Sequence, residues 1–174
     1  MPDLNEAVVV AATRSPIGRA NKGSLVDKRA DELMADVLVA LMDKVPQVDR
    51  FDVGDIICGN VAQSGETGFN IARTAGILAG FPHSVSAHTV QRFCASSLQA
   101  ITAAANAVKV GEGDMYIACG VEKSSRPPAP EGQEGGGRGG GGGGGRGRGI
   151  GPGGLNPKLL GRDSGFPFVY IPMG

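Results

Sequence analysis

The sequence holds no tryptophan, and aromatic residues fill only 5% of its 174 positions. That argues against a surface built to stack bases or sugars on aromatic faces. Histidine is nearly as scarce, at two residues, and cysteine stops at three. Cys58, Cys94 and Cys119 are odd in number and far apart, so neither a zinc-ligand spacing nor a disulfide framework emerges, and a reducing compartment is expected. Basic and acidic residues balance at 17 each, which points away from nucleic acid or an anionic membrane as partner. No apolar run is long enough to span a bilayer. The acidic start, Met1 to Ala7, carries neither a signal-peptide nor a transit-peptide pattern. A cytoplasmic location is the expectation these features leave.

What is plentiful is alanine, valine and glycine, the stock of closely packed helix-on-sheet layers. Glu6 to Thr13 is a continuous apolar run and predicts a strand buried on both faces. From Arg29 to Val45, Leu33, Val37 and Leu41 fall at helical spacing with Met34 and Leu38 beside them, and Pro46 ends the run. Val53 to Val61 predicts a second strand. Asn70 to Leu78 predicts a short helix capped by Asn70 and closed by Gly80 and Pro82. Ser84 to Phe93 predicts a third strand, Ala95 to Val110 a helix, and Asp114 to Val121 a fourth strand. Strands alternating with helices predict an α/β fold with a mixed or largely parallel sheet. The helix after Cys94 is small or apolar nearly all round, so it is expected to be a buried central helix.

Composition also divides the chain. Residues 1–122 read as one α/β domain. Residues 123–154 are proline-, glycine- and arginine-rich, and glycine resists ordering more than any other residue, so a flexible segment is expected there. Residues 155–174 regain ordinary composition but hold too few apolar side chains for a core of their own.

The stretch Val90-Gln91-Arg92-Phe93-Cys94-Ala95-Ser96-Ser97 carries the chemistry. A strand-like run stops at a cysteine and a helical run starts directly after it. Cys94 therefore falls at a helix N-terminus, where free backbone N–H groups and the helix dipole favour negative charge. The same N–H groups can cradle the oxyanion formed when a thiolate attacks a carbonyl. Ala95, Ser96 and Ser97 are small enough to leave the sulfur approachable.

These residues resemble the amino-terminal half of a thiolase, the acetyl-CoA acetyltransferase or 3-ketoacyl-CoA thiolase family. Four blocks carry the likeness in family order: VVVAATRSPIGRANKGSL, DIICGNVAQSGETGFNIAR, VQRFCASSLQAI and CGVEKSSRPP. The tail NPKLLGRDSGFPFVYIPMG resembles the start of the family's loop domain. Gln91, Phe69, Ser97, Cys119 and Ser124 depart from the asparagine, glutamine, glycine, glycine and methionine usual at those places. The resemblance implies the amino-terminal half of a thiolase-like layered fold. It implies that Cys94 is the catalytic nucleophile, passing an acyl group between coenzyme A thioesters with ping-pong kinetics, in Claisen condensation or thiolysis. It further implies an acyl-CoA substrate, no separate cofactor or metal, a role in fatty acid metabolism, and a homo-oligomer, either dimer or tetramer. No cofactor-binding residue is assigned.

The family's histidine base lies in a Gly-His-Pro element and its second catalytic cysteine in a Cys-x-Gly motif. Neither motif occurs here, so the sequence reads as an incomplete thiolase with poor turnover by itself. His83 sits in a connecting loop. His88 lies six residues before Cys94, on the order of 20 Å away along an extended strand, too far for proton transfer. Cys58 and Cys119 match no family catalytic position and read as core residues. Two other readings stay open: a non-catalytic thiolase-like subunit that pairs with an intact one, and RNA binding through the Arg/Gly tract. Against the second stand three arginines without interleaved aromatics.

Overall fold

The structure is a computed structural model that describes residues 5–123. The expected flexible segment and the tail from Leu155 lie outside the described residues, apart from Lys123. Within them the element order is α1 (Ala30–Asp43), β1 (Asp55–Gly59), α2 (Ile71–Leu78), β2 (Ser86–Val90), α3 (Ser96–Val110) and β3 (Tyr116–Gly120). Short 3-10 turns at Arg50–Asp52 and Gly65–Thr67 flank β1.

The three strands form a parallel sheet in the order β2-β1-β3. Parallel neighbours need crossovers, and α2 and α3 supply them. Helices α2 and α3 close at left-handed glycines. Gly80 and Gly111 take φ of 79° and 74°, a region costly for side chains. Around them Phe81 N–H donates to the Gly76 carbonyl and Glu112 N–H to that of Ala107, each at 3.0 Å, closing the last turn.

The helices divide between the sheet's faces. Against α1 and α2 the sheet turns Ile56, Cys58 and Ile117, which join Met34, Leu38, Met42, Ile71, Ala72 and Ala75 in one buried cluster. The buried stripe of α1 thus follows Met34, Leu38 and Met42, with Leu33, Val37 and Leu41 only partly covered. The other face of the sheet receives the start of α3 over Gly59 and Gly120. The result is an α/β layered fold built on a parallel sheet.

Three expectations are corrected. Glu6 to Thr13 forms no strand, and Val8, Val9 and Val10 are 70%, 83% and 73% exposed. Apolar composition records a readiness for burial, and among the described residues nothing pairs with or covers this run. Among the described residues the segment is held at its ends, where Asn5 N–H donates to the Lys109 carbonyl at 3.1 Å and Lys44 Nζ to that of Ala12 at 2.8 Å. Helix α3 is likewise not buried all round: it buries Ser96, Ala100 and Ala107, while Leu98, Ile101 and Val110 are exposed. Among the described residues, the elements α3 packs against are the three strands.

Asn70 precedes α2 but does not cap it. Its backbone is left-handed (φ 58°). Its side chain instead donates from Nδ2 to the Ala87 carbonyl and accepts at Oδ1 from the Thr89 hydroxyl, each at 2.8 Å. Asn70 therefore ties α2 to β2.

Candidate functional site

In a parallel α/β sheet, the carboxyl ends of the strands are where loops leave for the helices and where chemistry collects. Gly59, Val90 and Gly120 mark those ends, and the segments after them are bound together. Asn60 N–H donates to the Val90 carbonyl at 3.1 Å, and Val121 N–H donates to the Gly59 carbonyl at 3.2 Å. The Asn60 side chain, 1% exposed, donates to the Val121 carbonyl at 2.8 Å. The Glu122 carboxylate accepts from the N–H groups of Val61 at 2.8 Å and Ala62 at 3.3 Å. A single rim thus joins all three strand ends.

Cys94 rises from this rim in the turn between β2 and α3. Phe93 adopts φ 49°, a left-handed conformation uncommon for a bulky residue, which reverses the chain sharply. Ser96 holds the turn closed. Its hydroxyl accepts from Arg92 N–H at 2.8 Å and donates to the Phe93 carbonyl at 2.6 Å. Backbone bonds repeat the pattern, with Ala95 N–H to the Arg92 carbonyl at 3.1 Å and Ser96 N–H to that of Phe93 at 3.0 Å. Ser96 is buried, whereas Cys94 is exposed. The Arg92 guanidinium reaches forward along α3 to the Gln99 side chain.

Cys94 therefore lies where the sequence places it: approachable, two residues before a helix of 15 residues, at the carboxyl edge of the sheet. An exposed sulfur there lies near the N-terminal, positive end of the α3 dipole. Ser96 was legible only as a small residue; its role depends on a turn that becomes visible once Phe93 is seen in its left-handed conformation.

The other two cysteines have a different setting. Cys58 is fully buried, with its Sγ 3.5 Å from the Met34 sulfur. Cys119 is its register partner on β3 and packs against the same core. Cys58 is a core residue, as expected, and Cys119 is partly buried at the edge of that core. His83 is exposed in the loop before β2, where its carbonyl accepts from Arg73 at 3.0 Å. His88 Nδ1 lies 2.8 Å from Asp55 Oδ2, at the start of β1. Neither histidine bonds to the Cys94 turn. Two surface hollows, around Pro46 to Phe51 with Gly80 and Pro82, and around Ala12 to Arg14 with Pro16 and Lys44, also leave that turn untouched. Among the described residues no helix is long and apolar enough to cross a membrane, and no group of three or more His, Cys, Asp or Glu could hold a metal ion.

Residues 7–136 match the family described as "Thiolase, N-terminal domain". The chain belongs to the thiolase family. It is 44% identical over 131 residues to a 3-ketoacyl-CoA thiolase of Pseudoalteromonas translucida, covering 75% of this chain and 34% of that protein. A 3-ketoacyl-CoA thiolase of Photobacterium profundum is 38% identical over 162 residues, covering 93% of this chain and 41% of its own length. Among solved structures, the acetyl-CoA acetyltransferase of Bacillus anthracis superposes with a TM-score of 0.66 at 37% identity, covering 73% of this thiolase chain and 32% of that one. The chain spans about a third of the length of the first curated relatives it matches.

Proposed function

We propose that Cys94 accepts an acyl group from a coenzyme A thioester. The Cys94 sulfur attacks the thioester carbonyl, and the tetrahedral oxyanion collapses. The bond to coenzyme A breaks, and the coenzyme leaves as a thiol carrying the proton that Cys94 gave up. The observation that carries this reading is the placement of an exposed cysteine on a tightly bonded turn into α3, in a chain of the thiolase family. Passing the acyl group onward, by thiolysis or Claisen condensation, needs a base. His88 is engaged with Asp55, and His83 sits in an exposed loop. The reading therefore assigns the base to the part of its relatives' length that this sequence does not cover. A role in fatty acid metabolism belongs to the same proposal and is supported by the 3-ketoacyl-CoA substrates named for the relatives. So does assembly as a homo-oligomer, which the exposed Leu98, Ile101 and Val110 support. Three free cysteines support a reducing, cytoplasmic setting.

The test is incubation of the chain with acetyl-CoA, followed by intact mass and peptide mapping. One acetyl group on Cys94, with an equal amount of free coenzyme A and no labelling of Cys94→Ala, is the expected result. Acetylation elsewhere, or none at all, overturns the reading.

A further inference from the structure

Helix α3 begins on a floor from which side chains are missing. Gly59 ends β1, Gly120 ends β3, and the two are register partners. Neither has a left-handed backbone; among the described glycines those are Gly65, Gly80 and Gly111. Glycine stands at these strand ends for the space it leaves, not for a conformation it alone can take.

What fills that space is the first turn of α3. A methyl group on Gly59 would lie 2.5 Å from the Ser96 carbonyl carbon and 2.7 Å from the Ser97 Cα. Both are backbone atoms, so relief would require the helix to move. A methyl group on Gly120 would overlap the Ser97 hydroxyl, with the Ser97 Cβ at 3.1 Å and the Gly59 carbonyl oxygen at 3.3 Å. There the main obstacle is a side chain, which substitution can remove. Cys94 is coupled to this first turn through the Ser96 hydroxyl, which bonds to Arg92 and Phe93 on the residues just before it. Any displacement of Ser96 and Ser97 is passed to the turn that holds the sulfur.

We propose that Gly59 and Gly120 are positioning residues for the nucleophile: two bare strand ends set the height at which α3 starts, and so the place of Cys94. The inference rests on the acyl-transfer reading above. Misplacing a reacting group by about 1 Å can cost on the order of a hundredfold in rate, so two residues that touch no substrate are able to govern the reaction.

The test compares Gly120→Ala, Gly120→Ala with Ser97→Gly, and Gly59→Ala with Ser97→Gly, in the whole chain. The readouts are the rate of Cys94 acetylation by acetyl-CoA and the rate of its alkylation by iodoacetamide, with circular dichroism to follow the fold. Gly120→Ala is expected to slow acetylation by about tenfold or more. Ser97→Gly is expected to restore the Gly120→Ala chain but not the Gly59→Ala chain, whose obstruction is backbone. A Gly120→Ala rate equal to wild type, or a double variant as slow as the single, overturns the proposal. Should Gly120→Ala fail to fold, the double variant decides: recovery of fold and rate supports the proposal, and failure of either overturns it. A wild-type chain that takes no acetyl group counts against the acyl-transfer reading alone. Alkylation then decides the positioning: a rate altered in Gly120→Ala and returned by Ser97→Gly supports it, and an unaltered rate overturns it.

Discussion

Cys119 stands directly across from Cys58 in the parallel register of β1 and β3, and its thiol donates to the Ile57 carbonyl at 3.5 Å. The neighbouring Cys58 thiol, and then burial, push the Cys119 thiol above its ordinary range. A thiol so held favours its protonated form and is partly covered, whereas Cys94 lies exposed. Titration of the native chain with a disulfide reagent near neutral pH should therefore count one fast thiol per chain. The other two should appear only on adding denaturant, and Cys94→Ala should abolish the fast phase. A fast phase that survives this substitution would contradict the assignment.

Ser96 makes a second prediction. Ser96→Ala removes both hydroxyl bonds of the turn and leaves Arg92 N–H without its partner. The loss should cost about 1–3 kcal/mol in denaturant unfolding, and should slow Cys94 acylation in protein that is still folded. Ser96→Thr keeps the hydroxyl and should recover part of both. Equal stability of Ser96→Ala and wild type would show that the turn is held by its backbone bonds alone.

Asp31 predicts how the fold responds to acid. Its side chain is almost wholly covered, and Arg29 grips it with two bonds, Nε to Oδ1 at 3.0 Å and Nη2 to Oδ2 at 2.6 Å. Burial pushes the carboxyl up, but the Arg29 guanidinium and the Glu32 N–H together outweigh it and leave Asp31 below the usual carboxylate range. A carboxyl depressed in the folded state binds its proton more weakly there than in the unfolded chain. Its stabilisation is full above the unfolded pKa of about 3.9 and fades as pH falls through the lower folded value. Between pH 5 and pH 2 the wild type should lose more stability than Asp31→Asn. Parallel losses in the two proteins would remove this pair from the acid response.

Phe69 offers a stabilising change. It is wholly exposed and left-handed, with φ 52°. A side chain in that conformation costs about 1–2 kcal/mol, and an exposed one recovers little of it by packing. Phe69→Gly should raise stability by about 0.5–1 kcal/mol despite the added freedom of glycine in the unfolded chain, measured by thermal melting at low protein concentration. A lower melting temperature would show that the phenyl ring has a partner.

The order of elements was legible because each signal was local. The spacing of Met34 and Leu38, the run from Val53 to Val61, and Gly80 where α2 ends all act within a few residues. What misled was environment. Val8 to Val10 have a buried strand's composition, and α3 a buried helix's, yet burial depends on which neighbours arrive. At the site, Cys94 was legible from a strand stopping where a helix begins. Ser96, Gly59 and Gly120 were not. Ser96 acts through a turn whose shape Phe93 decides, and the two glycines act on α3 across the fold. Glycine in a sequence suggests a bend, and nothing in its neighbours reveals that it is a seat.

The register of the sheet bears on how the chain must fold. Asp55 pairs with Tyr116, about 60 residues further on, and the central strand has no hairpin partner close in sequence. A pairing of that separation pays its loop-closure entropy before any contact repays it, so assembly is slow and concerted. As the chain leaves the ribosome, β1 emerges first and stays unpaired until β2 arrives, then waits on its other edge until α3 and β3 follow. Throughout that interval Ile56 and Ile57, buried in the finished fold, are open to neighbouring chains. Yield on expression should therefore depend on the rate of synthesis and on chaperone supply more than on the stability of the finished fold.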